Sequence, residues 1–150
     1  MKGRKIIKYL CTMAIGFSLL FANTIKAETV NPYESISISE DDITLMAQLV
    51  YHEARGESED GQKAVVEVVL NRVLDSDFKN TVYDVIYEKR QFSTAKKLKG
   101  TVPNEENYEA VKYVIENGNT IFPTNYVYFS VGKSNGKNFT KLGNHWFSTK

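Results

Sequence analysis

SEDDITLMAQLVYHEARGESEDGQKAVVEVVLNRVL, residues 39–74, holds two helical signatures separated by a short break. Ser39 followed three positions later by Asp42 is a capping box, and Glu40 and Asp41 sit where the positive end of a helix favours acids. Ile43, Met46, Leu49 and Val50 then recur at three- and four-residue spacing, which predicts a helix over 40–54 that ends at Gly56. Glu53 falls three after Val50, four after Leu49 and seven after Met46. It therefore projects from the apolar face in the last turn, where a carboxylate is least expected. The second segment opens on Ser58 as a cap, with Glu59 and Asp60 in its first turn, and continues through Ala64, Val65, Val66, Val68, Val69, Leu70 and Val73. Apolar residues lie nearly all round it, the pattern of a central helix packed on several sides.

Downstream, Thr81 with Asp84 repeats the capping pattern and predicts a short helix through Tyr87, followed by a loop over 88–100. After Pro103, Asn104 or a neighbour caps a fourth helix whose buried stripe is Tyr108, Val111, Val114 and Ile115, and Gly118 closes it. From Asn125 the pattern changes. Tyr126, Val127, Tyr128 and Phe129 are strand formers, Asn135-Gly136 marks a turn, and 142–147 can supply a returning strand. The expected fold class is α+β, mostly helical with a C-terminal β-hairpin and no internal repeat.

Upstream, Lys2, Arg4, Lys5 and Lys8 precede an apolar run over 9–22, shorter than the roughly 20 residues of a membrane-spanning helix. Residues 1–27 are expected to be a secretory signal cleaved after Ala27, with a retained anchor as the alternative. Residues 28–38 read as a polar linker, extended or disordered, and 39–150 as one folded domain. Loss of 1–27 removes five of the 19 basic residues and none of the 18 acidic ones, leaving a net charge of −4. The single cysteine, Cys11, goes with it, so neither a disulfide nor a thiol nucleophile is expected. Lys96, Lys97 and Lys99 are the only basic cluster beyond the signal, which argues against nucleic acid as a partner.

The chemical centre is expected at Tyr51-His52-Glu53-Ala54-Arg55-Gly56-Glu57. A carboxylate held against apolar side chains loses solvation in its charged form, so it can keep a proton and deliver it to a leaving glycosidic oxygen. The bland alternative is that Glu53 swings to solvent or pairs with Arg55 or Arg72. Glu57, Asp60 and Glu67 read individually as caps, solvated residues or ion-pair partners. His52-Glu53 begins like a zinc-protease helix, but position 56 is Gly56 and the only other histidine is His145, so no metal or other cofactor is expected. Ser130 at a strand end reads as a turn serine rather than a nucleophile.

The run 51–57 is followed by Gly61-Gln62-Lys63-Ala64-Val65 and Val68-Val69-Leu70-Asn71-Arg72-Val73. Then come Val85-Ile86-Tyr87, Gln91-Phe92-Ser93, the strand 126–129 and Leu142-Gly143-Asn144-His145-Trp146-Phe147. Taken in this order over 43–147, these motifs resemble the spore cortex-lytic cell wall hydrolase family. The resemblance implies a lysozyme-like fold and a catalytic acid at Glu53, the first glutamate of the family's Glu-Ala-x-Gly-Glu motif. It implies cleavage of peptidoglycan between N-acetylmuramic acid and N-acetylglucosamine, by a lytic transglycosylase acting in cortex or cell wall lysis. One glutamate then suffices, because the sugar's own 6-hydroxyl can attack the anomeric carbon; attack by water would make a muramidase. A glycan-binding module without activity and a stem-peptide amidase are the remaining alternatives.

Among the matched positions, Gln91, Phe92 and Ser93 are expected either to line the glycan groove or to serve as core and cap. Tyr126 and Tyr128 alternate on one strand face, so at least one is expected to reach the cleft. His145 would either bond substrate or fix the hairpin. The chain is expected to be a secreted monomer at the wall or spore envelope. With no peptidoglycan-binding repeat ahead of the catalytic part, anchoring falls to the groove, a retained signal helix in the membrane or an accessory protein.

Overall fold

Four α-helices precede three β-strands in the computed structural model, which describes residues 30–150. The expected signal over 1–27 and the first two residues of the expected linker lie outside the described residues. The helices are α1 (Glu40–Ala54), α2 (Glu59–Leu74), α3 (Val82–Tyr87) and α4 (Glu105–Asn117), with a 3-10 turn at Ala95–Lys97. The strands are β1 (Tyr126–Ser130), β2 (Lys137–Leu142) and β3 (His145–Thr149). The class is α+β, and mostly helical, as expected.

The caps read from the sequence close the helix starts. Asp42 N–H donates to Ser39 Oγ (3.2 Å) while Asp42 Oδ2 accepts from Ser39 N–H (3.0 Å). Gly61 N–H donates to Ser58 Oγ (3.3 Å), and Asp84 N–H to Thr81 Oγ1 (3.1 Å). Such caps contribute about 1 kcal/mol each. Burial of α2, which packs against α1, α3, α4 and β1, stabilises the fold by more. Its run of valines has mediocre helix propensity, so this helix persists because Val65, Val66, Val68, Val69 and Leu70 are wholly buried. Each contributes about 1.5–3 kcal/mol.

The sheet has three strands rather than the two of a hairpin. They are antiparallel in the order β1-β3-β2, with Phe129 opposite Phe147 and Ser130 opposite Trp146. The tight turn joins β2 to β3 at Gly143-Asn144. Strand β2, KNFTKL, carries lysines along an exposed edge, which discourages pairing with other chains and also hides the strand from an apolar-run reading.

The stretch read as a linker is packed from residue 31 onward. Asn31 Nδ2 donates to Ile115 O (2.7 Å), and Tyr33, 2% exposed, donates its hydroxyl proton to Asn71 Oδ1 (2.7 Å). Ile36 and Ile38 add to the core margin. Gly118 at the end of α4 has φ +79°, and a Cβ there would meet Asn31 Oδ1 and Pro32 Cδ at 3.0 Å, so the strap crosses where only glycine fits.

Three polar residues of α2 fix the segment leading into β1. Glu67, fully buried, accepts from the N–H groups of Thr120 (2.6 Å), Ile121 (2.9 Å) and Phe122 (2.8 Å). Asn71 Nδ2 donates to Tyr126 O (2.9 Å), and Arg72 Nε to Val127 O (2.7 Å). Burial pushes the Glu67 pKa above the usual glutamate value, against the lowering effect of its N–H donors. The same burial, with Glu67 nearby, raises the Tyr33 phenol and keeps it a proton donor. Replacing Glu67 with Leu would strand three N–H donors, at about 1–3 kcal/mol each. Denaturant unfolding of Glu67→Leu should show a loss of about 3 kcal/mol or more, and a loss below about 1 kcal/mol would mean that the 120–122 loop holds itself.

Candidate functional site

A cleft of about 260 Å³ opens where the C-terminal end of α1 meets the sheet. Glu53 comes from the last turn of α1, and Arg72 from the last turn of α2. Arg90, Gln91, Phe92 and Ser93 form one wall from the loop after α3, and Phe129, Ser130, Val131 and His145 form the other from β1 and β3. Glu53 is half-buried rather than enclosed, and Thr94 Oγ1 donates a hydrogen bond to its Oε1.

The loop wall is tied to α1. Gln48 Nε2 donates to Thr101 O (3.0 Å), and His52 Nε2 lies 2.8 Å from Thr101 Oγ1. Phe92 is buried, 6.0 Å from Phe129 between ring centroids, and Leu98 behind it is wholly buried. The Arg72 guanidinium carbon sits 4.9 Å from the Phe92 centroid and 5.3 Å from that of Phe78. Burial lowers the Arg72 pKa to about 10, only partly offset by Tyr128 and Glu88, and its Nη1 is buried without a hydrogen-bond partner. An unmade bond of this kind costs about 1–3 kcal/mol, so it points to a role outside the fold.

The sheet wall is tied to the α1–α2 junction by Glu57. Asn144 donates to it twice, from N–H to Oε2 (3.0 Å) and from Nδ2 to Oε1 (2.9 Å). Gly143, at φ +57°, lets the turn approach; a Cβ there would sit 1.8 Å from Glu57 Oε2. The clamp sets the next residue, His145, whose ring meets Phe129 edge-on at 5.4 Å and 88°. His145 Nδ1 stands 3.8 Å from Glu57 Oε1, too far for a hydrogen bond. Burial raises the Glu57 pKa, but the two Asn144 bonds and His145 outweigh it and hold the carboxyl below the usual value.

Five of the seven residues singled out in the sequence, Glu53, Gln91, Phe92, Ser93 and His145, meet in this cleft. Tyr126 and Tyr128 do not line it. The register of β1 against β3 shifts between them, so two-residue alternation fails and the pair does not share a face. Tyr126 stacks on Phe122 at 4.6 Å and bonds through its hydroxyl to Asn138 O (3.2 Å), whereas Tyr128 lies against Phe78 at 6.1 Å. Phe129, Ser130 and Val131 take the place expected of the tyrosines. Arg72 stood in the sequence only as a possible ion-pair partner of Glu53, and no such pair forms among the described residues. Among the described residues no three His, Cys, Asp or Glu side chains come together as metal ligands.

The profile of the cell wall hydrolase family matches residues 56–148, beginning three residues after Glu53. A spore cortex-lytic enzyme of Bacillus cereus is 38% identical over 117 residues, covering 73% of this chain and 44% of the relative. That of Bacillus subtilis is 45% identical over 76 residues, covering 49% of this chain and 24% of the relative. The chain thus spans less than half the length of these curated relatives. Among solved structures, the catalytic domain of the Bacillus cereus SleB protein superposes with a TM-score of 0.64 at 36% identity, over 75% of this chain and 93% of that one. The catalytic domain of the germination-specific lytic transglycosylase SleB from Bacillus anthracis gives a TM-score of 0.65 at 34% identity, over 75% and 98%.

The lowered pKa of Glu57 gives the clamp a pH window. Its contribution is complete above the usual glutamate value of 4.5 and is lost as pH falls through the lower folded-state value. The stability advantage of the unmodified chain over Glu57→Gln should therefore shrink on acidification below pH 4.5. An advantage that holds steady or grows there, measured by denaturant unfolding across pH, would contradict the clamp.

Proposed function

The chain belongs to the cell wall hydrolase family, and on that footing we propose that it cleaves peptidoglycan between N-acetylmuramic acid and N-acetylglucosamine as a lytic transglycosylase. The observation that carries this reading is that Glu53 is the one carboxylate among the residues lining the cleft. A glycosidase with two working carboxylates holds them about 5–5.5 Å apart when retaining and about 6.5–9.5 Å apart when inverting. Glu57 does not supply the second, since both its oxygens are bonded to Asn144.

With one carboxyl the reaction closes on the substrate itself. Glu53 donates its proton to the glycosidic oxygen as the bond from the anomeric carbon to that oxygen breaks. The 6-hydroxyl of the muramoyl sugar then forms a new bond to the anomeric carbon and returns its proton to Glu53, giving an anhydro ring. The Thr94 hydroxyl fixes one carboxyl oxygen and so the direction of proton delivery. Phe92 offers a sugar face an apolar wall, while Gln91, Ser93 and His145 offer hydrogen bonds. Tyr126 and Tyr128, from their positions, brace the sheet instead.

The same reading places the chain outside the cell, exported through 1–27, and the names of its relatives favour spore cortex as the setting. Digestion of cortex and vegetative peptidoglycan, followed by mass spectrometry, should yield anhydro-muramic ends. Glu53→Gln should slow their release about 100-fold or more with the unfolding midpoint unchanged. Reducing ends would identify a muramidase, free amino groups a stem-peptide amidase, and binding without products a glycan-binding module.

A further inference from the structure

Two guanidinium groups share the cleft with the single carboxylate of Glu53. Arg72 is 3% exposed and donates through Nε to Val127 O, but its Nη1 has no partner. Glu88 acts on it only from a distance, and among the described residues no ion pair involves Arg72 or Arg90. The planar group is held against Phe92, so its fork is already oriented before any ligand arrives. Arg90 stands at the rim with φ +72°, a left-handed backbone that costs energy in a residue with a Cβ. Strain of this kind gathers at functional sites. With two guanidinium groups against one carboxylate, the cleft is locally cationic, and the Nη1 of Arg72 is a buried donor that the fold leaves unused.

We propose that Arg72 and Arg90 form a carboxylate subsite that recognises the acidic substituent of the muramoyl unit. The inference rests on the glycan reading above and deepens it. The two alternating sugars of peptidoglycan carry the same acetamido group, and they differ in the 3-O-lactyl arm of the muramoyl unit. That arm ends in a carboxylate, or in a stem peptide that carries carboxylates of its own. A guanidinium pairs with such a group through parallel N–H···O bonds, and Arg72 Nη1 is the donor left free for one of them. The subsite would separate peptidoglycan from a neutral N-acetylglucosamine polymer of the same length and linkage, and would set which sugar lies on each side of Glu53.

The test is calorimetric titration of the Glu53→Gln chain, in which the glycan persists, with three glycans of equal length. One is the neutral N-acetylglucosamine oligomer, one alternates with peptide-free muramic acid, and one carries stem peptides. At least one carboxylate-bearing glycan should bind about tenfold more tightly than the neutral oligomer. That preference should weaken with added salt and disappear on adding Arg72→Gln. Whichever of the two acidic glycans is preferred identifies the lactyl or the peptide carboxylate as the group bound. Should Arg72→Gln fail to fold, exposed Arg90→Gln replaces it and should reduce the preference by itself. Equal binding of all three glycans, or a preference that survives these substitutions, overturns the subsite and leaves the glycan reading standing. Absence of binding to any of them, with no glycan cleavage by the unmodified chain, removes both.

Discussion

Glu67 is a carboxylate in the core of the molecule whose two oxygens accept the backbone N–H groups of three consecutive residues, Thr120, Ile121 and Phe122. One turn further along α2, Asn71 bonds to Tyr126 O and, through its own Oδ1, accepts the Tyr33 hydroxyl; beside it, Arg72 bonds to Val127 O. From Ala64 to Val73 the helix is apolar apart from Glu67, Asn71 and Arg72. Hydrophobic burial alone would let the sheet slide or rotate over the helix, because apolar contact carries no direction. A satisfied buried network costs too much to break halfway, so it selects one placement of the chain from residue 120 to the start of β1.

The cleft follows from that placement. With β1 pinned at Val127, its far end brings Phe129, Ser130 and Val131 opposite the 90–93 loop. Gln48 and His52 secure that loop through Thr101, and Glu57 secures the β2–β3 turn through Asn144. All of these ties begin on α1, α2 or the short junction between them, and Glu53 sits where they converge. A site held this way is organised before any ligand arrives.

The helices were legible because their caps and periodicities are local. Ser39, Ser58 and Thr81 announce their helices within four residues of sequence, and the apolar stripes state which faces are buried. Glu53 was legible by the same logic, as a carboxylate out of place on an apolar stripe. Its half-buried position was not, since that depends on how far the loop after α3 closes over it. The strap at Asn31 and Tyr33 read as linker because its partners, Ile115 and Asn71, are far away in sequence. The tyrosine faces of β1 were misjudged because a register shift leaves no mark in an alternating pattern. Glu57 read as a cap, a solvated residue or an ion-pair partner and Arg72 as a partner for Glu53, because the groups they meet, Asn144 for Glu57 and Val127 for Arg72, are distant in sequence.

Native-state hydrogen exchange at the amides of Thr120, Ile121 and Phe122 tests the organising claim most directly. These three residues lie outside every helix and strand, and a loop of that kind ordinarily exchanges through local opening. If Glu67 holds the sheet in place, their amides should exchange only with global unfolding, as slowly as those in the middle of α2. Exchange by local opening, independent of the stability of α2, would show that the sheet is not anchored there and that the cleft owes its shape to something else.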